Sequence, residues 1–380
     1  MKFRVDYRLS NGKEFYLIYD NDDNKLTNWD GTVLNPTNNT KKLEIIPMHE
    51  KTQGNRIRHI TIILGLSCNL HCEYCPQRKR NLSVKPITSK SIDYLANNLN
   101  RIKPDSIELF GGEPLVYYKL FIQLLDRLEY RLESITVYTN GTLLNEQLID
   151  NLAARNVKLK ITYDSAHNRD KLYNIKMLQY ANQKLDCTFY AVLDKDCTYE
   201  KLQALSKSLG VKLNEIPLKT RDEEFLPTEE YIKNVEKITY MSDAKTTNMY
   251  RQRFYDAVST RMQKAQLEHA ACYLDTRGLC IDGEGNTYNC KIVPIKQKYN
   301  ISRISTYDNR NNLTKYYQWY ERPGCSDCHL LSICRGECPS LNEYSHEQTC
   351  KSFKPYFNGI FKSAIDNMIG AKVFSITPIK

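Results

Sequence analysis

The chain has 380 residues, 41% of them hydrophobic and 26% charged, the balance of an ordinary soluble globular protein. No run of about 18 apolar residues is present to span a membrane, and the charged opening MKFRVDYRLSNGKEF lacks the apolar stretch of a secretory signal, so a cytoplasmic protein with no membrane partner is expected. A net charge of +10 suits an acidic partner or an anionic cofactor, but Lys and Arg are spread along the chain rather than blocked, so no nucleic-acid partner is expected.

Residues 1–55 alternate in short apolar and polar steps, Phe3 to Tyr7 and Phe15 to Tyr19, separated by Ser10-Asn11-Gly12 and Asn21 to Asn24. This predicts a small antiparallel β meander. From about residue 56 the texture changes. Ile60 to Leu64 is a β-branched run of the kind buried on both faces of a sheet, and strands follow at Ser106 to Phe110, Ser134 to Tyr138, Val157 to Tyr163 and Thr188 to Leu193. Helical periodicity fills the gaps at about 88–102, 117–132, 144–154, 168–182 and 199–208. Strands alternating with helices of this length predict βαβ units and an α/β fold with a parallel sheet over 56–220. A helical connection covers 221–270, and a cysteine-dense tail with a C-terminal helix covers 271–380.

Thirteen cysteines in a reducing compartment read as metal ligands before disulfides. Cys68, Cys72 and Cys75 form a C-x3-C-x2-C spacing in the loop after the first strand of the α/β region. Three thiolates there suit three irons of a cubane cluster and leave the fourth iron open to a small molecule. A structural zinc site would need a fourth ligand, and only His71, between two of the cysteines, is at hand. One βα unit later, Phe110-Gly111-Gly112-Glu113-Pro114 ends the second strand, where glycines permit close backbone approach to a ligand.

Together these motifs resemble the radical S-adenosylmethionine (SAM) superfamily over about residues 56–220. Tyr74 falls at that family's aromatic position between the last two cysteines. The resemblance implies a partial (β/α)6 barrel, a SAM-binding 4Fe-4S cluster on Cys68, Cys72 and Cys75, and reductive cleavage of SAM to a 5′-deoxyadenosyl radical. It also implies cofactor contacts from Tyr74, Gly111, Gly112, Glu113 and Pro114, from Asn140 in Tyr138-Thr139-Asn140-Gly141, and from Thr162 and Asp164 after the next strand.

The tail carries Cys272, Cys280 and Cys290, with Gly285 five residues before Cys290, then Cys325-x2-Cys328-x5-Cys334-x3-Cys338, and finally Cys350. This resembles the SPASM extension of radical SAM enzymes that modify peptides. The resemblance implies two auxiliary 4Fe-4S clusters, one on Cys272, Cys290 and Cys338 with Cys280 as the fourth ligand, the other on Cys325, Cys328, Cys334 and Cys350. Cys187 and Cys197 fit no spacing and read as plain thiols. Sulfatase-maturating relatives place an Asp base after the G-x4-C cysteine. Lys291 stands there instead, either as a base or as a cation beside a cluster.

The expected function is oxidative modification of a ribosomally made precursor peptide, with side-chain crosslinking as the first outcome. Oxidation of a small molecule or cofactor precursor is the alternative. Expected partners are a precursor peptide with a leader segment and an electron donor such as flavodoxin or ferredoxin. The 1–55 meander either offers an edge to the leader or covers the barrel.

Overall fold

A computed structural model describes residues 1–35, 56–72, 75, 77, 83–163, 172–193, 197–211, 213–217, 228–241, 249–267, 278–288, 290–292, 296–304, 317–339, 341 and 343–379. Three strands come first, β1 (Lys2–Arg8), β2 (Glu14–Asp20) and β3 (Lys25–Asn28). Then β4 (His59–Ile63), α1 (Ile92–Ile102), β5 (Ser106–Phe110), α2 (Tyr118–Leu125), β6 (Ser134–Thr139), α3 (Glu146–Ala153) and β7 (Val157–Tyr163) follow. The alternation continues with α4 (Ile175–Lys184), β8 (Cys187–Leu193), α5 (Tyr199–Leu209) and β9 (Leu213–Pro217). Helices α6 (Glu229–Met241) and α7 (Met249–Ser259) precede β10 (Gly278–Asp282), β11 (Asn286–Tyr288) and β12 (Lys296–Asn300). The chain closes with α8 (Leu331–Cys334), α9 (Glu343–Ile369) and β13 (Lys372–Pro378). No helix among the described residues is long and apolar enough to cross a membrane.

The chain gathers into two compact units, one of residues 47–216 and 272–315, the other of 1–46, 217–271 and 316–380. The first is built on a nine-stranded sheet in the order β12-β11-β10-β4-β5-β6-β7-β8-β9. Strands β10, β4, β5, β6, β7 and β8 pair in parallel, each with its neighbour in that order. Register sets the two faces apart. Ile60, Ile107, Ile135 and Val157 align on one side, while Thr61, Glu108, Thr136 and Lys158 align on the other. Helix α1 buries Ile92, Leu95, Ala96 and Leu99 at helical spacing, and each of the Ile and Leu side chains contributes roughly 1.5–3 kcal/mol. Asn145, Asn174 and Thr198 cap α3, α4 and α5 by accepting backbone N–H bonds from Leu148, Met177 and Lys201.

The grouping departs from the sequence boundaries at 271–380. Gly278 to Asp282 pairs residue for residue with His59 to Ile63, so the beginning of the tail extends the parallel sheet. Five consecutive ladder partners hold it there.

The other unit has a four-stranded sheet, β13-β1-β2-β3, with helices α6 to α9. Its core is aromatic: Tyr19, Phe254, Phe353, Phe357 and Phe361 are fully buried. The Tyr19 hydroxyl donates to Asn24 at 2.6 Å, satisfying a polar group that burial would otherwise penalise. The expected continuous helical connection consists of α6 and α7, and residues 242–248 between them lie outside the described residues. Gly359 lets α9 cross α6 closely, since a Cβ there would lie 2.0 Å from Thr239 Oγ1.

Candidate active site

The C-x3-C-x2-C loop leaves the carboxyl end of β4 and is braced by the GGEP turn at the end of β5. Gly112 N–H donates to Gly65 O and Glu113 N–H to Ser67 O, both at 2.9 Å. The approach is too tight for side chains: a Cβ on Gly111 would lie 2.3 Å from Gly65 O, and one on Gly112 2.4 Å from Ser67 O. Gly111 also has φ +142, in the region that favours glycine. The glycines therefore serve first to seat GGEP on the segment that delivers Cys68.

Glu113 is almost fully buried, and its carboxylate is used inside the chain. Oε1 accepts from Leu115 N–H at 2.9 Å and from the Thr139 hydroxyl at 2.8 Å, and Oε2 accepts from Asn140 N–H at 2.8 Å. Burial pushes its carboxyl up, against the pull of those donors. The residue thus locks the turn after β5 to the turn after β6. Asn140 in turn donates to Asn69 at 3.0 Å and approaches Cys68 Sγ at 4.0 Å, while Leu70 N–H donates to the same sulfur at 3.4 Å. Pro114 opens the short 3-10 turn Pro114–Tyr117. Burial pushes the Cys68 thiol up, countered by Leu70 N–H, with Glu113, Cys72 and Cys75 adding to the rise. A loop of three half-buried thiols, with the Leu70 N–H aimed at the Cys68 sulfur, fits an iron–sulfur cluster. The Thr162 carbonyl accepts from the Tyr173 hydroxyl at 3.2 Å. Tyr74, Asp164 and Cys272 lie outside the described residues.

The polar face of the sheet carries a charged network that the motifs do not announce. Lys291 Nζ donates to Glu108 Oε2 and, at 3.0 Å, to the Tyr138 hydroxyl. Tyr138 donates to Glu108 Oε1 at 2.9 Å and accepts from Lys160 Nζ at 2.8 Å, and Thr61 donates to Glu108 Oε2 at 3.2 Å. Burial raises the Glu108 carboxyl, but His59 and the Lys291 ammonium outweigh it and hold the group far below the usual carboxylate range. Burial, and then the Glu108 charge, push the Tyr138 phenol up. Lys291 is thereby engaged as a cation in an ion pair. The signal was present in the sequence: Ser106-Ile107-Glu108-Leu109-Phe110 and Lys158-Leu159-Lys160 put charges at alternate positions of otherwise apolar central strands.

In the other unit, Cys325, Cys328, Cys334 and Cys350 line one cavity, walled by Leu331, Phe353 and Phe357. Burial pushes all four thiols up, Cys325 to about 11. His346 Nε2 lies 3.8 Å from Cys325 Sγ. Arg335, Gly336 and Glu337, all with positive φ, turn the chain sharply between Cys334 and Cys338. Four partly buried thiols facing one space, costly to ionise without a metal, fit a thiolate-ligated cluster. Among the described residues, no three His, Cys, Asp or Glu side chains converge on a single-ion position.

Cys280 and Cys290 belong to the sheet unit, and Cys338 to the unit that holds the four-thiol cavity. Cys280 is buried beside Ile63 and Tyr288, and burial and then Cys290 push its thiol up. Cys290 Sγ accepts Ile292 N–H at 3.3 Å. Cys187 opens β8 and Cys197 is buried ahead of α5.

Residues 62–186 match the Radical SAM superfamily. An uncharacterised protein of Methanocaldococcus jannaschii is 31% identical over 122 residues, 30% of this chain and 42% of its own length. The radical SAM cyclopropyl synthase TigE of Paramaledivibacter caminithermalis is 26% identical over 163 residues, 36% of this chain and 34% of its own. The chain thus spans less than half the length of both relatives. Among solved structures, native anSMEcpe with bound AdoMet shares the fold at a TM-score of 0.54 and 15% identity, over 82% of this chain and 99% of that one. The three-cysteine loop seated on GGEP at the carboxyl edge of the parallel sheet falls within residues 62–186, the segment that matches the Radical SAM superfamily.

Proposed function

We propose that the chain is a radical SAM maturase with a SPASM-type tail that oxidatively modifies a ribosomally made peptide, by side-chain crosslinking. The observation that carries this reading is the pairing of two thiol sites, the Cys68 loop braced by Glu113 and the cavity lined by Cys325, Cys328, Cys334 and Cys350. Bound at the first, a 4Fe-4S cluster with SAM would supply a 5′-deoxyadenosyl radical able to take a hydrogen atom from a substrate.

The chain's own residues bind and orient. Cys68, Cys72 and Cys75 hold the cluster, Gly111 and Gly112 set the loop's distance from β5, and Asn140 lies against the Cys68 sulfur. Tyr74, Thr162 and Asp164 are the further contacts that the family resemblance assigns to SAM. The Lys291–Glu108–Tyr138 network keeps a fixed charge pattern on the polar face of the sheet. Lys291 is better suited there to stabilising charge than to accepting a proton. The second thiol site holds an auxiliary cluster, and Cys272, Cys280, Cys290 and Cys338 are the ligands that the resemblance assigns to the other. Two such clusters suit an oxidation in which a second electron leaves the substrate after the hydrogen atom.

The solved neighbour anSMEcpe has been captured with AdoMet and a peptide, with the fold shared at a TM-score of 0.52, which supports the peptide reading. A leader joining the four-stranded sheet by main-chain pairing would meet β3 or β13, because β1 and β2 are paired on both sides.

The test is anaerobic co-expression with any short peptide encoded beside the gene, followed by mass measurement. Loss of hydrogens in pairs is the expected result. An unchanged mass, with 5′-deoxyadenosine still formed, would overturn the peptide assignment in favour of a small-molecule substrate.

A further inference from the structure

Beside the four-thiol cavity runs an open groove between α9 and β13. Lys351, Lys354 and Lys362 line it together with Leu330, Phe374 and Ile376. The three lysines are spaced by three and eight residues on α9, which places them along one face of the helix. Lys362 pairs with Glu236 at 2.6 Å, the one acidic residue in the groove wall, and Lys351 pairs with Glu347 at 3.0 Å on the solvent side. Three lysines against two paired glutamates leave the groove one positive charge in excess, flanked by the exposed ring of Phe374. Leu330 and Lys354 line both the groove and the cavity of Cys325, Cys328, Cys334 and Cys350. Only one layer of side chains separates the two.

We propose that this groove docks an acidic one-electron carrier protein, a reduced flavoprotein or iron–sulfur protein, and passes its electron to a cluster held by the four cysteines. The proposal rests on the reading of that cavity as a cluster site. The carrier loses one electron and the cluster gains one, with no bond made or broken and no proton moved. Charge complementarity of this kind speeds encounter and weakens with salt. A peptide adding as a strand fits the groove less well. The neighbouring edge β13 is interrupted by a register shift against β1, begins at Lys372 and ends at Pro378, features that discourage further strand pairing.

The experiment uses full-length, reconstituted protein carrying Cys68→Ala, Cys72→Ala and Cys75→Ala, so that the remaining iron reports the tail alone. Stopped-flow absorbance follows its reduction by flavodoxin hydroquinone and, separately, by dithionite. Lys351→Glu with Lys362→Glu should slow the flavodoxin reaction by about tenfold or more at low salt and flatten its salt dependence, while the dithionite rate stays unchanged. An unchanged flavodoxin rate at normal iron content would overturn the proposal. If the charge reversals lower iron content, the Lys351→Gln and Lys362→Gln pair decides by the same comparison, with a smaller expected slowing. Full iron retention after Cys325→Ala and Cys328→Ala would instead remove the cluster reading itself.

Discussion

Glu113 shows how a motif residue can act through the chain. Its two oxygens take three bonds, from Leu115, Thr139 and Asn140. In Glu113→Gln one of those oxygens becomes an NH2 group that cannot accept. A buried N–H or hydroxyl is then left unpaired, at a cost of about 1–3 kcal/mol. The expected outcome is a lower Tm and weaker SAM binding with the iron content of the loop retained, measured by calorimetry and iron assay. The Lys291–Glu108 pair makes a second expectation. Both side chains are largely buried, so Lys291→Met removes the nearest cation from Glu108, which keeps His59 at 3.5 Å and Lys160 at 3.7 Å, and should cost less than the about 3–5 kcal/mol of a stranded buried charge, recovered in part by adding Glu108→Leu. Because the folded Glu108 carboxyl lies below its unfolded value, its contribution is fully present above the ordinary carboxylate range near pH 4.3 and is lost as pH falls through the lower folded value. The stability deficit of Glu108→Gln should therefore be constant near neutrality and shrink below about pH 4 in urea titrations.

At the scale of elements, Gly359 offers the sharpest expectation. Gly359→Ala drives a Cβ into Thr239 and the Glu236 carbonyl, so α6 and α9 must part, at about 1–3 kcal/mol despite the better helix propensity of Ala. Thermal unfolding checks it. The parallel strands were legible because β-branched runs such as Ile60 to Ile63 and Ile135 to Val137 are short and bounded by helical periodicity. Helix ends were less so: the 117–132 segment closes as α2 at Leu125, followed by turns. Strand β13 was not legible at all. Its partner β1 lies at the other end of the chain, and no hairpin turn announces a pairing of that range. Strand β10 escaped for the same reason, since its parallel partner β4 is more than 200 residues earlier. The charged network was missed because Glu108, Tyr138, Lys160 and Lys291 come from three strands and a loop. Only register brings them together.

For the whole molecule, the cysteine spacings divide the thiols into three expected sets. Cys325, Cys328, Cys334 and Cys350 share a cavity, and Cys68 lies under Asn140. The spacings did not foretell that the tail divides between two units, with β10 joining the parallel strands and β11 and β12 pairing antiparallel beyond it. The groove along α9 gathers three lysines, two of them paired with Glu236 and Glu347.

The central claim is that this fold carries three thiolate-bound clusters, one of them on the Cys68 loop. Iron counting with SAM-cleavage assays tests it most directly. Anaerobically reconstituted protein should hold about twelve irons and form 5′-deoxyadenosine with a reductant, while Cys68→Ala with Cys72→Ala and Cys75→Ala should lose about four irons and all of that product. A plateau near four irons in the unaltered protein would contradict the auxiliary sites, and 5′-deoxyadenosine formation surviving the triple substitution would contradict the assignment of the loop.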